Sequence, residues 1–144
     1  MLFFRGVYGS YNIENITFDD EIKAVEAEAI RLKNEKNVDI IIAAGHAGYD
    51  LDMKMAEQIP DLDLVVGGHS HTFLFTGEQK PSVEEPKGDY PTYITQKSGK
   101  VVPVVQVYCY TKYLGHLTLH FDAKVSFFHN NSWFAECKQT AEKL

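Results

Sequence analysis

The 144-residue sequence has few cysteines and no long apolar run, and each shortage excludes a class of protein. Only Cys109 and Cys137 are present, and neither has a partner at C-x-x-C or other zinc-type spacing, which argues against a disulfide framework and a cysteine-based zinc site. No apolar run reaches the roughly 18 residues that a transmembrane helix needs, and Arg5 interrupts the apolar start of the chain. We therefore expect no membrane span, signal peptide or anchor in this chain.

The sequence also lacks a surplus of basic residues. It has 14 Lys and Arg against 20 Asp and Glu, giving a formal net charge of −6. Because the lysines are scattered rather than clustered, we expect no nucleic-acid partner. A small anionic ligand remains compatible with this charge if a metal ion supplies the positive counterpart.

The middle of the chain has the pattern of a βαβ unit. Residues 38–44, VDIIIAA, form a nearly continuous β-branched run, which is typical of a parallel strand covered by helices on both faces. Asp50 is placed to cap a helix that Pro60 ends before a second strand at 62–66. Three apolar residues at helical spacing give this helix one face: Leu51, Met55 and Ile59. The pattern predicts an α/β fold.

The flanking segments predict a further helix, a loop and antiparallel strands. Thr17 and Asp20 resemble a capping box before a helix at about 18–35, and residues 76–90 are typical of an exposed loop. Three short strands with antiparallel pairing are predicted toward the C-terminus, at 93–95, 101–108 and 113–122. Pro103 favours an edge position for the second of these strands.

Three histidines are the candidate site residues. His69 and His71 follow two glycines at the end of the second strand, and His46 follows the end of the first. Since the strands of a βαβ unit are parallel, their carboxyl ends lie at one edge of the sheet, where ligands bind in open α/β sheets. Histidines flanking a serine also occur at polar strand ends, but adding His46 favours a transition-metal site.

The other notable polar residues have simpler explanations. His116 and His120 alternate with apolar residues in HLTLHF, so we expect them on the solvated face of a strand. His129 lies in a poorly patterned tail, and the Glu84–Glu85 pair is interpreted as a solvated charge run in a loop.

Two stretches resemble the 5′-nucleotidase family of ecto-5′-nucleotidases and apyrases. Residues 41–78 contain the motifs G-H-x-G and G-G-H-S-x-T-F, and residues 90–122 contain V-P-V-V-Q and K-Y-L-G, all in family order. The resemblance covers about residues 18–122. Four motifs in the right order are far more specific than any one of them.

The resemblance implies a fold, a cofactor and a function. The chain is expected to be the second half of a calcineurin-like metallophosphoesterase domain, a βαβ-containing part of its sandwich. By this resemblance His46 and His69 are imidazole ligands of a dinuclear centre, with two divalent ions, zinc or alternatively manganese. His71 occupies the position that completes the shell of the other metal, where many members have Asn or Gln. No catalytic or substrate-binding residue is assigned in this chain.

The sequence also departs from the family pattern. It lacks the motifs D-x-H, G-D-x-x-D and G-N-H, and with them the bridging aspartate and the catalytic His–Asp dyad. We therefore interpret residues 1–124 as a partial metallophosphoesterase domain and residues 125–144 as a divergent tail. As half the metal ligands are absent, we expect the chain alone to be inactive.

The predicted function is that of a 5′-nucleotidase fragment, whose parent enzyme converts nucleoside 5′-monophosphates and water to nucleosides and phosphate. Alternatives within the superfamily are an apyrase, a UDP-sugar hydrolase and a cyclic-nucleotide phosphodiesterase. A non-catalytic product that acts as a binding module is the alternative from another class. The resemblance further implies a nucleotide as partner, and a parent that is extracellular or at the cell surface and homodimeric.

Overall fold

A computed structural model of the chain describes residues 17–121, in which two helices and four strands form one α/β unit. In chain order the elements are α1 Glu21–Lys36, β1 Ile42–Ala44, α2 Tyr49–Gln58, β2 Leu64–Val66, β3 Thr92–Thr95 and β4 Val101–Val105. The strands form one sheet in the order β1-β2-β4-β3. Within the described range, neither helix is long and apolar enough to cross a membrane.

Helix α1 starts later than predicted, because its cap is Asp20 and not Thr17. The Asp20 carboxylate accepts a hydrogen bond from the Lys23 backbone N–H at 3.0 Å, which satisfies one of the donors that the first turn leaves unpaired. The helix ends at Asn37, which adopts a left-handed conformation with φ 51° and donates its N–H to the Leu32 carbonyl.

The predicted βαβ unit is confirmed. Strands β1 and β2 pair in parallel, with Ile42 opposite Leu64, and α2 connects them. The prediction that the first strand is covered on both faces is wrong. Ile42 is 53% exposed and Ala44 is exposed as well, so this face of β1 has no cover among the described residues.

Helix α2 begins one residue earlier than the predicted cap. Its N-cap is Gly48, with φ 98° and no side-chain cap, whereas Asp50 lies in the first turn, where a carboxylate complements the helix dipole. The predicted apolar face is confirmed, since Met55 and Ile59 are buried in the core.

The antiparallel pairing toward the C-terminus is confirmed for β3 and β4. Pro103 is not at an edge, because β4 lies between β2 and β3 and Pro103 is buried. This position tolerates proline because the registered pairs with β2 begin only at Val104. The predicted strand at 113–122 is wrong over its described part, since residues 113–120 have no strand assignment. The predicted tail, 125–144, lies outside the described residues.

Candidate metal centre

His46 and His69 meet at the carboxyl edge of the sheet, as predicted from the βαβ pattern. Their ring centroids lie 5.2 Å apart in an edge-to-face arrangement with an interplanar angle of 67°. Both residues are exposed to solvent. The edge therefore presents two imidazoles side by side on loops that follow parallel strands.

Backbone hydrogen bonds hold these two strand ends together. The Gly45 N–H donates to the Val66 carbonyl at 3.0 Å, immediately before His46, and the Gly67 N–H donates to the Val105 carbonyl at 2.9 Å. The ladder thus continues past β1, β2 and β4 into the loops. This continuation ties the histidine loops to the rigid sheet.

The glycine at position 68 leaves space for the His46 ring. A Cβ atom there would come within 2.8 Å of His46 Nδ1, nearer than real Cβ contacts. The second glycine of the G-G-H-S motif therefore makes room for the His46 ring. Gly48, on the other loop, lies beside the His69 ring, where a Cβ atom would meet Cδ2 at 3.7 Å.

His71 has different ring neighbours from the other two histidines. Its ring packs edge-on against Tyr110, with the centroids 5.2 Å apart. His69 and His71 both adopt left-handed backbone conformations, with φ 73° and 49°, which are uncommon for residues other than glycine. The loop thus holds both histidines in strained conformations.

Asp52 is a residue near this edge that sequence reasoning did not select. It lies in the first turn of α2, is only 1% exposed, and its Oδ2 atom has no hydrogen-bond partner among the described residues. Burial raises the pKa of its carboxyl to about 6, against smaller lowering effects of the Gln106 side chain and the charge of His46. The signal in the sequence was its helical spacing from Met55 and Ala56, which places it on the buried face.

Gln106 was also missed, although it ends the V-P-V-V-Q segment. It follows β4 directly and is fully buried. Its amide oxygen accepts hydrogen bonds from the Thr72 backbone N–H at 2.5 Å and from Ser70 Oγ at 3.0 Å. The available signal was a polar side chain after a buried parallel strand, at the same edge as the histidines.

The interpretation of Glu84 as a merely solvated charge is wrong. Its carboxylate forms a salt bridge with Lys112 Nζ and accepts a hydrogen bond from Tyr113 Oη at 2.7 Å. These partners lower the pKa of Glu84 to about 2. Glu84 therefore connects the long loop to the segment after β4, whereas its neighbour Glu85 pairs with Lys80 within the loop.

The donor set fits a metal ion only in part. His46 and His69 offer neighbouring imidazoles, the ligand type that transition metals prefer. Among residues 17–121, however, no group of three or more His, Cys, Asp or Glu side chains is arranged to hold a metal ion. The ligand roles of His46, His69 and His71 stay predictions, and a complete centre needs further ligands.

Comparison with known proteins identifies the family. The sequence matches the calcineurin-like phosphoesterase family over residues 2–73, a range that includes all three candidate histidines. The chain therefore belongs to the calcineurin-like phosphoesterase family. The match begins before residue 18, where the resemblance was expected to start, and it lies in the N-terminal half of this chain.

Individual relatives are similar over most of this chain. It is 49% identical over 110 residues to a 5′-nucleotidase of Bos taurus, an alignment that covers 76% of this chain and 19% of the relative. It is 49% identical over 113 residues to the Protein 5NUC of Lutzomyia longipalpis, covering 78% of this chain and 20% of the relative. The chain thus spans about a fifth of the length of these relatives.

A solved structure supports the fold assignment. The 5′-nucleotidase precursor of Thermus thermophilus superposes with a TM-score of 0.67 at 33% identity, covering 78% of this chain and 22% of that protein. The fold is that of part of a metallophosphoesterase domain.

Proposed function

We propose that this chain supplies part of the active centre of a 5′-nucleotidase, which hydrolyses nucleoside 5′-monophosphates to nucleosides and phosphate. The observation that carries the proposal is the pairing of His46 and His69 at the carboxyl edge of the sheet, within the matched family range. The similarity to a bovine 5′-nucleotidase supports the substrate class.

In this proposal His46 and His69 are imidazole ligands of a dinuclear centre, and His71 completes the shell of the other ion. Two divalent ions, zinc or alternatively manganese, would supply the charge that stabilises a phosphoryl group during transfer. The chain itself would orient the ligands. The backbone hydrogen bond from Gly45 to Val66 holds the two histidine loops together, and the absence of a side chain at Gly68 leaves room for the His46 ring.

The proposal requires ligands that this sequence does not contain. The motifs D-x-H, G-D-x-x-D and G-N-H are absent from all 144 residues, so the bridging carboxylate must come from elsewhere. Two neutral imidazoles cannot balance the positive charge of two divalent ions, since hard and borderline divalent ions also need anionic ligands. The fragment interpretation therefore belongs to the proposal.

A chimaera tests the ligand roles directly. Residues 18–121 of this chain would replace the aligned segment of the bovine 5′-nucleotidase, which supplies the remaining domain, and release of phosphate from AMP would be measured. We expect activity, and we expect His46→Ala or His69→Ala to lower it by at least the roughly 10–100-fold that removal of supporting groups around a metal typically costs.

His116→Ala is the matched control, because His116 is exposed and was assigned no role in the site. It should leave the chimaera active. An active chimaera that keeps full activity in the His46→Ala variant would contradict the ligand assignment.

The substrate is tested separately, by assaying the proposed parent enzyme of this chain on AMP, ADP, ATP, UDP-sugars and cyclic nucleotides. Extracellular location and dimerisation of the parent stay predictions.

A further inference from the structure

Gln106 makes three hydrogen bonds to one short loop. Its Nε2 donates to the Gly68 carbonyl at 2.9 Å, and its Oε1 accepts from the Thr72 N–H at 2.5 Å and from Ser70 Oγ at 3.0 Å. The side chain is only 1% exposed, so these bonds are shielded from water. The amide nitrogen and the amide oxygen of Gln106 thus both form hydrogen bonds to the five-residue segment 68–72.

The three contacts alternate with the two histidines of the loop. Residues 68, 70 and 72 bond to Gln106, whereas His69 and His71 lie between them. Both histidines have positive φ, a conformation that persists only where surrounding contacts determine it. Gln106 supplies such contacts on either side of each histidine.

We propose that Gln106 is a positioning residue that fixes the loop 68–72 and thereby the direction of the His69 and His71 imidazoles. The expected effect on metal binding rests on the proposed function. The effect of Gln106 on the conformation of the loop does not depend on any metal. Supporting groups of this kind orient the ligands of metal sites, and their removal typically lowers the affinity for the metal by roughly 10–100-fold.

The network extends from Gln106 to the loop that carries His46. Ser70 Oγ accepts a hydrogen bond from the Tyr49 backbone N–H at 3.0 Å and lies 2.8 Å from Thr72 Oγ1. Since the Gly48 N-cap has no side chain, Ser70 takes the capping role for α2 across space. Gln106 therefore acts on both histidine loops, directly on one and through Ser70 on the other.

The chain contains a matched control for a purely structural role. Gln96 is also a buried glutamine, 5% exposed, whose Nε2 donates to the Ala56 and Ile59 carbonyls at 2.8 and 2.9 Å. These partners lie at the C-terminal end of α2, whereas the histidine loops lie at its N-terminal end. Replacing Gln96 removes a comparable set of bonds without touching the histidine loop.

The experiment compares Gln106→Met with Gln96→Met in the full chain, because methionine keeps the length of the side chain and removes its hydrogen bonds. Hydrogen exchange of the Thr72 amide is measured relative to that of Val104, so that a global loss of stability cancels. The imidazole signals of His69 and His71 are followed by NMR, and Zn²⁺ binding is titrated by calorimetry.

We expect Gln106→Met to lower the relative protection of Thr72 by about tenfold, the effect of one buried hydrogen bond, and to shift the signals of both histidines. Any Zn²⁺ affinity should fall by roughly 10–100-fold. Gln96→Met should leave these three quantities unchanged. Equal effects of the two variants, or an unchanged Thr72 amide in Gln106→Met, would overturn the proposal.

Gln106→Glu keeps the test decisive if Gln106→Met does not fold. Glutamate retains an oxygen that accepts from Thr72 and Ser70, so Thr72 should keep most of its protection, whereas the Gly68 contact and the His69 signal should change. No change at His69 would count against the positioning role. Zn²⁺ uptake by the chain alone is not required by the proposed function, because the centre needs further ligands and its test is the chimaera. If the unmodified chain takes up no Zn²⁺, the Thr72 and imidazole results alone decide the role of Gln106.

Discussion

The carboxylate of Asp52 lies directly against the backbone of Gly67, so that a Cβ atom at Gly67 would come within 1.9 Å of Asp52 Oδ2. Helix α2 and the end of β2 are thus in contact at the point where the histidine loop begins. Asp52 is fully buried and cannot move aside into solvent. The first glycine of the G-G-H-S motif is therefore required by packing.

Gly67→Ala should consequently destabilise the fold. We expect a loss of about 1–3 kcal/mol in the free energy of unfolding, as is usual when a methyl group is forced into a packed site. Urea denaturation measures this loss. Gly45→Ala is the control, because a Cβ atom at Gly45 would meet nothing within 4 Å, and its effect should stay within about 0.5 kcal/mol. Equal effects at both glycines would contradict this packing argument.

Asp52 should make stability depend on pH. Burial raises its pKa from 3.8 to about 6, so the folded state binds a proton more tightly than the unfolded state does. The stabilising contribution is present below the unfolded pKa of 3.8 and is lost as the pH rises through the folded value near 6. Asparagine does not ionise, so Asp52→Asn should remove this dependence.

The measurement is the free energy of unfolding of both proteins across that window. The stability of the unmodified chain relative to Asp52→Asn should fall with rising pH by on the order of 2–3 kcal/mol. Asp50→Asn is the control, because the Asp50 side chain is 78% exposed and forms its ion pair with the exposed surface residue Lys87. A difference that stays constant with pH would show that Asp52 has an ordinary pKa.

His116 and His120 should be replaceable. Both are exposed, as predicted, although the segment that carries them is not a strand over residues 113–120. Changing both to Thr should alter the free energy of unfolding by less than about 1 kcal/mol in urea denaturation. Leu119→Ala is the comparison, because Leu119 packs against the core and its truncation should cost more. A larger loss from the histidine changes would indicate interactions that solvent exposure does not suggest.

The chain alone should not hydrolyse AMP at an enzymatic rate, even with zinc or manganese added. The family motifs that supply the bridging carboxylate and the His–Asp dyad are absent from its sequence, and loss of general acid–base help alone typically lowers rates by roughly 10²–10⁴. Phosphate release should equal that of a His46→Ala, His69→Ala double variant. Turnover that disappears in the double variant would show that Asp or Glu residues of this chain complete a site with His46 and His69.

Local pattern was sufficient for much of the fold. The βαβ unit and the apolar face with Met55 and Ile59 were predictable because helix and parallel strand each have their own periodicity along the chain. The proximity of His46 and His69 followed from the same pattern, since parallel strands share an edge for their carboxyl ends. The helix boundaries were less accurate. Thr17 and Asp20 are both suitable N-cap residues for α1, and the local pattern did not show that Asp20 is the cap.

The position of strands within the sheet was not predictable from local pattern. Pro103 was expected on an edge strand, but β4 lies between β2 and β3, whereas β1 is at the edge of the described sheet. Which strand lies next to which depends on contacts between segments far apart in sequence. Periodicity within a single strand contains no information about its neighbours.

The sequence by itself determined that two histidine loops follow parallel strands, because a strand, a helix and a second strand in succession form a parallel pair. Only the tertiary structure decided what supports those loops. Gln106 bonds to Gly68 across 38 positions, and Asp52 packs under Gly67. A buried polar side chain must find its partner wherever the folded chain places one, and that location is set by the packing of the whole sheet.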